Sequence, residues 1–334
     1  MIKLGLIYGG MSTEHDISIK SAKSIIDNLN KSKYDLFEII IDKNGNWYDK
    51  EGKKIENITK ILQDLDVVFP VLHGLYGEDG TIQGMLELLK VPYVGTGILS
   101  SANCMDKAYS KIIFEKAKIP QAKYVYIKKV EGNYIFVTKN FDEISGNTRE
   151  ICNLIIKEID FPMFVKPSNS GSSVGISKVT NMDELIGAVE YASNFDKKIL
   201  VEENIDGQEI ECAVLGNENP KASAVGEILS AEDFYSFDAK YNNSDSKTQI
   251  PANISKEKQE EIRTLAIKAY KALDCRGLSR VDFFIERGTG KIYINEINTM
   301  PGFTKISMYP KLWEYSGIKY SDLLDELIDL ALKK

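Results

Sequence analysis

Histidine is scarce in this sequence: only His15 and His73 occur among its 334 residues. A zinc site that relies on several histidines is therefore excluded, and a metal ion would have to be held mainly by oxygen donors. Cysteine is scarce too, and no CxxC pair occurs among Cys104, Cys152, Cys212 and Cys275. Such widely spaced cysteines are typical of free, buried thiols in a reducing compartment.

Long hydrophobic runs are also missing. The N-terminal segment MIKLGLIYGG is apolar too briefly for a signal peptide, and no later stretch approaches the length of a membrane span. We therefore expect a cytoplasmic protein with no membrane partner. Positive charge is not in excess, since the net charge is −7, which gives no support to nucleic-acid binding. The hydrophobic content of 43% is ordinary for a globular protein, and the length allows two or three domains.

The first third of the chain alternates between strand and helix patterns. KLGLIYGG, FEIIIDK and DVVFPVLHG are strand-like, and the apolar spacing in STEHDISIKSAKSIIDNLN and TIQGMLELLK predicts helices. Ser12 or Thr13 is expected to cap the first helix. The alternation predicts a parallel sheet with helices on both faces, in a first domain over residues 1–103.

The pattern changes after this domain. Residues 104–205 mix helices and strands around the glycine-rich stretch FPMFVKPSNSGSSVGISKV, which predicts a second, α+β domain. Residues 206–334 contain further strands, a helix capped by Ser255, and the hairpin signal RGTG between LSRVDFFIE and KIYINEIN. In this third domain, residues 231–251 are expected to form a long polar and aromatic loop, which suits either a lid over a site or a disordered excursion.

The hairpin near the end of the chain carries a candidate metal site. A hairpin symmetric about Thr289 places Asp282 opposite Glu296. The same symmetry places Arg280 opposite Asn298, so that all four side chains share one face, although a slip of one residue would break this register. Carboxylate and amide oxygens suit Mg²⁺, which completes its shell with water and phosphate oxygens. The alternative is a solvated sheet face with one cross-strand ion pair.

The stretch KPSNSGSSVG, residues 166–175, is a candidate phosphate-binding loop. It lacks the ending of a Walker A sequence. Its small residues nevertheless let backbone N–H groups approach an anion, and its hydroxyls add donors. Lys166 supplies a positive charge, and Lys107 and Lys240 could converge on the same anion. A flexible polar hairpin is the alternative, and the sequence leaves both possibilities open.

Two acidic residues, Glu202 and Glu203, end the strand-like segment ILVEEN. A carboxylate at this place can hydrogen-bond the ribose or the amine of adenosine. The alternative is ordinary surface charge.

Seven segments occur in an order typical of one family: GGMSTEHDIS, HGLYGEDGTIQG, PYVGTGILSSANCMDK, VKPSNSGSSVGISKV, FYSFDAKY, GLSRVDFFI and NEINTMPGFT. Together they resemble the D-alanine–D-alanine ligases of the ATP-grasp superfamily from about residue 5 to residue 310. The resemblance implies an α/β, three-domain ATP-grasp fold, in which an N-terminal parallel-sheet domain precedes two α+β domains that clamp ATP. It also implies ligation of two D-alanines through an acylphosphate, for peptidoglycan precursor synthesis.

The resemblance further implies roles for individual residues. The residues expected to bind ATP are Lys107, Lys166, Ser172, Ser173, Glu202, Glu203, Glu209 and Lys240. Those expected to bind two Mg²⁺ (or Mn²⁺) ions are Asp282, Glu296 and Asn298. Those expected to bind D-alanine are Glu14, His73, Arg280, Ser307 and Met308. Those expected to act in catalysis are Glu14, Ser172 and Tyr241, linked by hydrogen bonds, with Arg280 and Gly302 as the oxyanion hole. A homodimer is implied as well, and activation by a monovalent cation such as K⁺ stays open.

Three alternatives stay open beside this function. The nearest is a ligase of the same scaffold that joins D-alanine to D-serine or D-lactate, against which the pair Lys240-Tyr241 argues by resemblance. Another is a different ATP-grasp carboxylate–amine ligase, which GGMSTEH and HGLYGEDG make a poorer match. The third is a degenerate protein that binds nucleotide without catalysis. Such a protein would lack a metal carboxylate or a phosphate lysine, and this sequence has both.

Overall fold

The computed structural model describes residues 1–171, 174–229 and 247–333. Within these residues the strands are β1 (Ile2–Gly9), β2 (Tyr34–Ile41), β3 (Trp47–Asp49), β4 (Val67–Val71), β5 (Tyr124–Val130), β6 (Asn133–Val137), β7 (Glu143–Gly146), β8 (Met163–Pro167), β9 (Ser177–Val179), β10 (Lys198–Glu203), β11 (Gly207–Leu215), β12 (Lys221–Leu229), β13 (Lys247–Gln249), β14 (Leu278–Glu286) and β15 (Ile292–Asn298). The helices are α1 (His15–Asn28), α2 (Ile58–Gln63), α3 (Thr81–Leu88), α4 (Ile98–Met105), α5 (Lys107–Lys116), α6 (Thr148–Glu158), α7 (Met182–Ala192), α8 (Lys256–Ala272), α9 (Met308–Tyr315) and α10 (Tyr320–Leu332). None of these helices is long and apolar enough to cross a membrane.

The first sheet has the strand order β3-β2-β1-β4. β1 pairs in parallel with β2 and β4, which confirms the predicted parallel sheet, whereas the short edge strand β3 is antiparallel to β2. Alternate residues of β1 point to opposite faces. Leu4 and Leu6 pack with α1 and α10, and Ile7 packs with α2 and α3. The last helix of the chain therefore returns to the first sheet, which the sequence did not predict.

The start of α1 differs from the prediction. Glu14, not Ser12 or Thr13, occupies the N-cap position, and it makes no side-chain capping hydrogen bond. The Ser12 hydroxyl instead donates to the His73 carbonyl (2.6 Å) and accepts from the Glu14 N–H (3.2 Å). The predicted cap was wrong because the Ser12 hydroxyl joins the loop after β1 to the loop after β4.

The second sheet, with the order β7-β6-β5-β10-β8-β9, is antiparallel throughout. α6 and α7 cover one face of it, with a core that includes Ile155, Leu185 and Ile199. The third sheet, with the order β13-β12-β11-β14-β15, is also antiparallel. α8 covers one of its faces, and Ser255 caps this helix by accepting from the Lys258 N–H (3.3 Å), as predicted. α9 packs on the opposite face.

The β14–β15 hairpin has the predicted register next to its open end. Arg280 pairs with Asn298, and Asp282 pairs with Glu296. Between Asp282 and the turn, a β-bulge shifts the pairing by one residue, so that Asn295 falls between paired positions. The predicted strand pairing is therefore confirmed at the candidate site and is wrong nearer the turn.

Helix α5 lies between the second and third sheets. Ala108 packs in a small cluster with Leu200 of the second sheet, and Phe114 belongs to the large core beneath the third sheet. Lys107 and Lys111 are one helical turn apart and share a side of the helix. Because α5 takes part in two cores at once, the domain boundary expected at residue 103 stays a prediction.

Candidate active site

A cleft of about 1760 Å³ is lined by residues from all three parts of the chain. The residues of the expected site that line it are Glu14, His73, Lys107, Lys166, Glu202, Glu203, Glu209, Arg280, Glu296, Asn298, Gly302, Ser307 and Met308. Asp282 does not line the cleft; it is 2% exposed and is hydrogen-bonded to Arg280 and Asn298, which do. The other expected site residues, Ser172, Ser173, Lys240 and Tyr241, lie outside the described residues, as does most of the expected lid loop.

A hydrogen-bonded group of charged side chains lies on β14, β15 and β11. Arg280 donates to both carboxylate oxygens of Asp282, from Nε (2.7 Å) and Nη2 (2.6 Å). Asn298 Nδ2 donates to the same carboxylate (2.9 Å). Glu211 pairs with Asp282 across the sheet and places its Oε2 3.2 Å from Arg280 Nε. Glu211 was not predicted from the sequence, although its spacing of two from Glu209 was a signal that it faces the same side.

Two of the expected metal-binding residues, Asp282 and Glu296, form a row across the third sheet with Glu211, which was not expected. The three carboxylate residues lie side by side on three neighbouring strands. Among the described residues, no group of three or more His, Cys, Asp or Glu side chains is arranged to hold a metal ion. Two carboxylates and the Asn298 amide still fit Mg²⁺, which commonly takes one or two protein carboxylates and fills its shell with water and phosphate oxygens. The donor set therefore suits a divalent ion that shares its shell with a phosphate ligand.

Lys107, the first residue of α5, contacts two sides of the cleft. Its Nζ lies 3.3 Å from Glu296 Oε2 and donates to the Ser170 carbonyl (2.7 Å). The base of the glycine-rich loop is fixed to the same helix, because the Ser168 hydroxyl donates to Asp106, the N-cap residue of α5 (2.6 Å). One ammonium group thus connects the candidate phosphate loop with the candidate metal strand.

Glu202, near the end of β10, lies between two lysines. Lys111 Nζ is 2.5 Å from its Oε1, and Lys166 Nζ is 2.5 Å from its Oε2. Burial raises the pKa of the Glu202 carboxyl, but the two ammonium groups outweigh burial and bring the pKa to about 2. Both oxygens of Glu202 are therefore engaged with lysines, and Oε1 of the neighbouring Glu203 accepts from the Lys123 N–H (2.7 Å). Lys111 was not predicted, because a lysine in an amphipathic helix is usually solvated, whereas this side chain is 2% exposed.

The carboxylate of Glu14 is enclosed by two loops. A Cβ atom on Gly74 or on Gly171 would meet Glu14 Oε2 at 2.7 Å. A side chain at either position would therefore displace the carboxylate, and glycine permits the close approach. The loop after β4 and the glycine-rich loop meet at Glu14, which is 8% exposed.

His73 is held as a neutral ring. Its Nδ1 donates to the Met300 carbonyl (3.0 Å), so Nε2 accepts from the Ser21 hydroxyl (3.0 Å). That hydroxyl also accepts from the Phe303 N–H (3.2 Å), which leaves its own proton for the ring. Burial lowers the pKa of His73, although the charge of Glu14 opposes this effect. His73 therefore fixes the segment after β15 to the first sheet.

Glu78 lines the same cleft and was not predicted. It accepts from the N–H groups of Gly74 (2.9 Å) and Met300 (3.1 Å). Burial and the nearby charge of Glu14 raise the pKa of the Glu78 carboxyl to about 8. Its place in HGLYGEDG was a signal, but no pattern in this segment distinguished Glu78 from Asp79.

Gly302, Ser307 and Met308 lie together at the cleft. A Cβ atom on Gly302 would meet Ser307 Oγ at 2.7 Å. Ser307 is the N-cap residue of α9, and its hydroxyl accepts from the Thr304 N–H (3.0 Å) rather than from the helix. Met308 begins α9, whose first turn has N–H groups without partners inside the helix. Such a helix start suits a carboxylate ligand.

Two family models match the chain. The one described as "D-ala D-ala ligase C-terminus" matches residues 113–329. The one described as "D-ala D-ala ligase N-terminus" matches residues 3–61 and 50–96. A curated relative, the D-alanine–D-alanine ligase of Acetivibrio thermocellus, is 48% identical over 98% of this chain and 95% of its own length.

Solved structures agree with these matches. The D-alanine–D-alanine ligase of Coxiella burnetii has a TM-score of 0.81 and 34% identity, over 100% of this chain and 96% of its own. The VanG D-Ala:D-Ser ligase of Enterococcus faecalis has a TM-score of 0.86 and 36% identity, over 99% of both chains. The chain therefore belongs to the D-alanine–D-alanine ligase family and has its ATP-grasp α/β fold.

Proposed function

We propose that this chain joins two D-alanines into D-alanyl-D-alanine for the synthesis of peptidoglycan precursors. The family consists of ATP-dependent ligases that use a divalent metal, so the chain is an enzyme of this class. The observation that carries the proposal is the position of Lys107, whose ammonium group contacts both Glu296 and the Ser170 carbonyl. A cation at this place suits a triphosphate that extends from the glycine-rich loop to a metal ion.

In the proposed first step, the carboxylate of one D-alanine attacks the γ-phosphate of ATP and forms an acylphosphate. The two reactants are both negative, so the site has to offset their repulsion. Lys107 and Lys166 are proposed to do this from the chain. Asp282, Glu296 and Asn298 are proposed to hold Mg²⁺ or Mn²⁺, which offsets further negative charge when bound.

In the proposed second step, the amine of the other D-alanine attacks the acylphosphate carbonyl, and phosphate leaves. Arg280 and the Gly302 N–H are proposed to stabilise the oxyanion. Contacts with Asp282 use two of the five N–H donors of Arg280, so donors remain for a ligand oxygen. Ser307 and Met308 are proposed to bind the carboxylate of this D-alanine at the start of α9.

The other assignments are also proposals. Glu14 would bind the ammonium group of the first D-alanine, because a cation suits a carboxylate enclosed by two loops. His73 would lie near that substrate. The remaining nucleotide contacts are assigned to Ser172, Ser173, Glu202, Glu203, Glu209 and Lys240. Ser172 and Tyr241 would be linked to Glu14 by hydrogen bonds. We propose a cytoplasmic homodimer with small-molecule substrates, and sedimentation analysis would check the dimer.

A coupled assay of ADP release tests the proposed function. ADP release is expected to require D-alanine, and D-alanyl-D-alanine is expected to form in equal amount. Glu296→Gln is expected to abolish both while circular dichroism stays unchanged, because the variant loses a metal carboxylate. Glu51→Gln, whose side chain is 65% exposed, is the matched control and is expected to behave as the parent. ADP release without D-alanine, or without dipeptide, would rule the proposal out.

The same assay decides the choice of second substrate. A family member whose name specifies D-Ala:D-Ser is similar in structure, so D-serine and D-lactate should compete with D-alanine in one reaction. D-alanyl-D-alanine is expected as the main product. A mixed product in excess would favour the alternative ligase. Adding K⁺ to the same reaction would show whether a monovalent cation activates the enzyme.

A further inference from the structure

Lys111 is a buried charged side chain that the proposed reaction does not use. Its side chain is 2% exposed, and its Nζ lies 2.5 Å from Glu202 Oε1. The same Nζ lies 5.6 Å from the centre of the Tyr124 ring. Removing an ammonium group from water is energetically unfavourable unless a close opposite charge compensates for the lost hydration. An apolar side chain could be buried here without this penalty, so we expect the charge of Lys111 to have a function.

The carboxylate of Glu202 is shared between two lysines. One oxygen contacts Lys111, and the other contacts Lys166, with both distances at 2.5 Å. Two positive charges and one negative charge leave one net positive charge in this group. Without Lys111, Glu202 would neutralise Lys166 alone, and the group would present no net charge to a ligand.

We propose that Lys111 is a positioning residue that neutralises Glu202 and thereby keeps the charge of Lys166 available to an anion in the cleft. Lys166 and Glu202 line the cleft, and Lys111 is not part of that lining. Lys111 therefore acts through Glu202 rather than by touching the ligand. The identity of the anion as the phosphates of ATP or ADP rests on the proposed function.

Helix α5 explains how one element supports both sides of the cleft. Lys107, in its first turn, reaches Glu296 and the Ser170 carbonyl from inside the cleft. Lys111, one turn later, reaches Glu202 from behind the cleft surface. The same side of one helix thus supplies one ammonium group for the ligand and a second one for the carboxylate that would otherwise neutralise Lys166.

A double-mutant cycle measured by calorimetric titration with ADP and Mg²⁺ tests this role. Lys111→Met is expected to weaken ADP binding about tenfold, because Lys166 is then neutralised by Glu202. In a Glu202→Gln background the same substitution is expected to change ADP affinity less than about twofold, because there is no carboxylate to neutralise. Lys116→Met, an exposed position on the same helix, is the matched control and is expected to change nothing.

Further variants separate charge from structure. Lys111→Gln keeps a hydrogen-bond donor without the charge and is expected to bind ADP as weakly as Lys111→Met, whereas Lys111→Arg is expected to restore affinity. The KM for ATP is expected to rise in Lys111→Gln with the KM for D-alanine unchanged. Equal losses from Lys111→Met in both backgrounds, or full affinity in Lys111→Gln, would overturn the proposal. ADP binding is measured without D-alanine, so this outcome is distinct from failure of the ligase assay.

Discussion

The space beside Gly302 is already filled. A Cβ atom there would lie 2.7 Å from Ser307 Oγ, closer than real Cβ contacts, so Gly302→Ala must either turn the Ser307 hydroxyl away from the Thr304 N–H or move the segment after β15. If the Gly302 N–H binds the oxyanion, kcat is expected to fall on the order of 100-fold. Steady-state kinetics with ATP and D-alanine would measure this fall.

Gly187→Ala is the control for that substitution. It lies in α7, and a Cβ atom there would meet nothing within 4 Å. Its kcat is expected to equal that of the parent. If the kcat of Gly302→Ala also equals that of the parent, the proposed role of the Gly302 N–H in the oxyanion hole is contradicted.

Glu78 makes stability depend on pH. Its pKa of about 8 lies above the usual value of 4.5, so the folded protein keeps a proton that the unfolded chain releases. The contribution is therefore fully present below about pH 4.5 and is lost as the pH rises through about 8. Relative to Glu78→Gln, the free energy of unfolding of the parent is expected to fall by on the order of 1–2 kcal/mol across this pH range. The value is kept small because the carboxyl is partly open to the cleft, where water screens its charge. Urea unfolding of both proteins over this pH range would measure the effect. A difference in unfolding free energy between the parent and Glu78→Gln that stays the same at every pH would contradict this prediction.

Strand pairing was predictable at the scale of single residues, and buried charge was not. The positions of Arg280, Asp282, Glu296 and Asn298 follow from the two-residue repeat of a hairpin. The burial of Lys111 depends on Glu202, which reaches it from a distant strand. The local sequence does not show which distant residue will pair with a lysine, so it does not distinguish a buried lysine from a solvated one.

Helix α10 stabilises the fold from the far end of the chain. Its residue Leu324 is 0% exposed and packs in the core that α10 shares with the first sheet. Leu324→Ala is expected to lower the free energy of unfolding by about 2–5 kcal/mol. Leu332→Ala, at a 39% exposed position of the same helix, is expected to cost less than about 0.5 kcal/mol. Urea unfolding of both variants would check this, and equal losses would argue against the packing of α10 on the first sheet.

The helices and strands themselves were largely predictable, and their exceptions were set by neighbouring segments. Apolar periodicity predicted α1 and α3, and Ser255 as a capping residue predicted the start of α8. The predicted cap at Ser12 failed because its hydroxyl is used by the His73 carbonyl. The bulge at Asn295 was not predicted because the sequence around it keeps the ordinary strand composition.

The cleft involves all three parts of the chain, so ligands are expected to stabilise the whole molecule. At about 100 times its Kd, ADP with Mg²⁺ would add about 2.7 kcal/mol, which corresponds to a rise in Tm of several degrees. EDTA is expected to reduce this rise, because the donor row on the third sheet then has no ion to share with the phosphates. AMP is the control and is expected to show a smaller effect of EDTA. Equal rises with ADP in the presence and absence of EDTA would argue against a shared metal.

The arrangement of the whole molecule was predictable mainly through resemblance. The ordered motifs implied an ATP-grasp fold, and similar solved structures agree with that fold. The return of α10 to the first sheet was not predictable, because an amphipathic helix can cover any apolar surface. The packing of α5 against both the second and the third sheet was not predictable for the same reason.

The start of α5 is tied to the second sheet, and this has a mechanical consequence. The base of the glycine-rich loop is hydrogen-bonded to the N-cap residue of α5, and Lys111 contacts Glu202 of β10, whereas Lys107 reaches Glu296 across the cleft. If the cleft opens, we expect α5 to move with the second sheet, and hydrogen exchange of α5 should then follow β10 rather than β14. Such a movement would part Lys107 from Glu296 and leave Lys111 beside Glu202. Opening would then remove a positive charge from beside the proposed metal-binding residues, so that movement and nucleotide release become a single event.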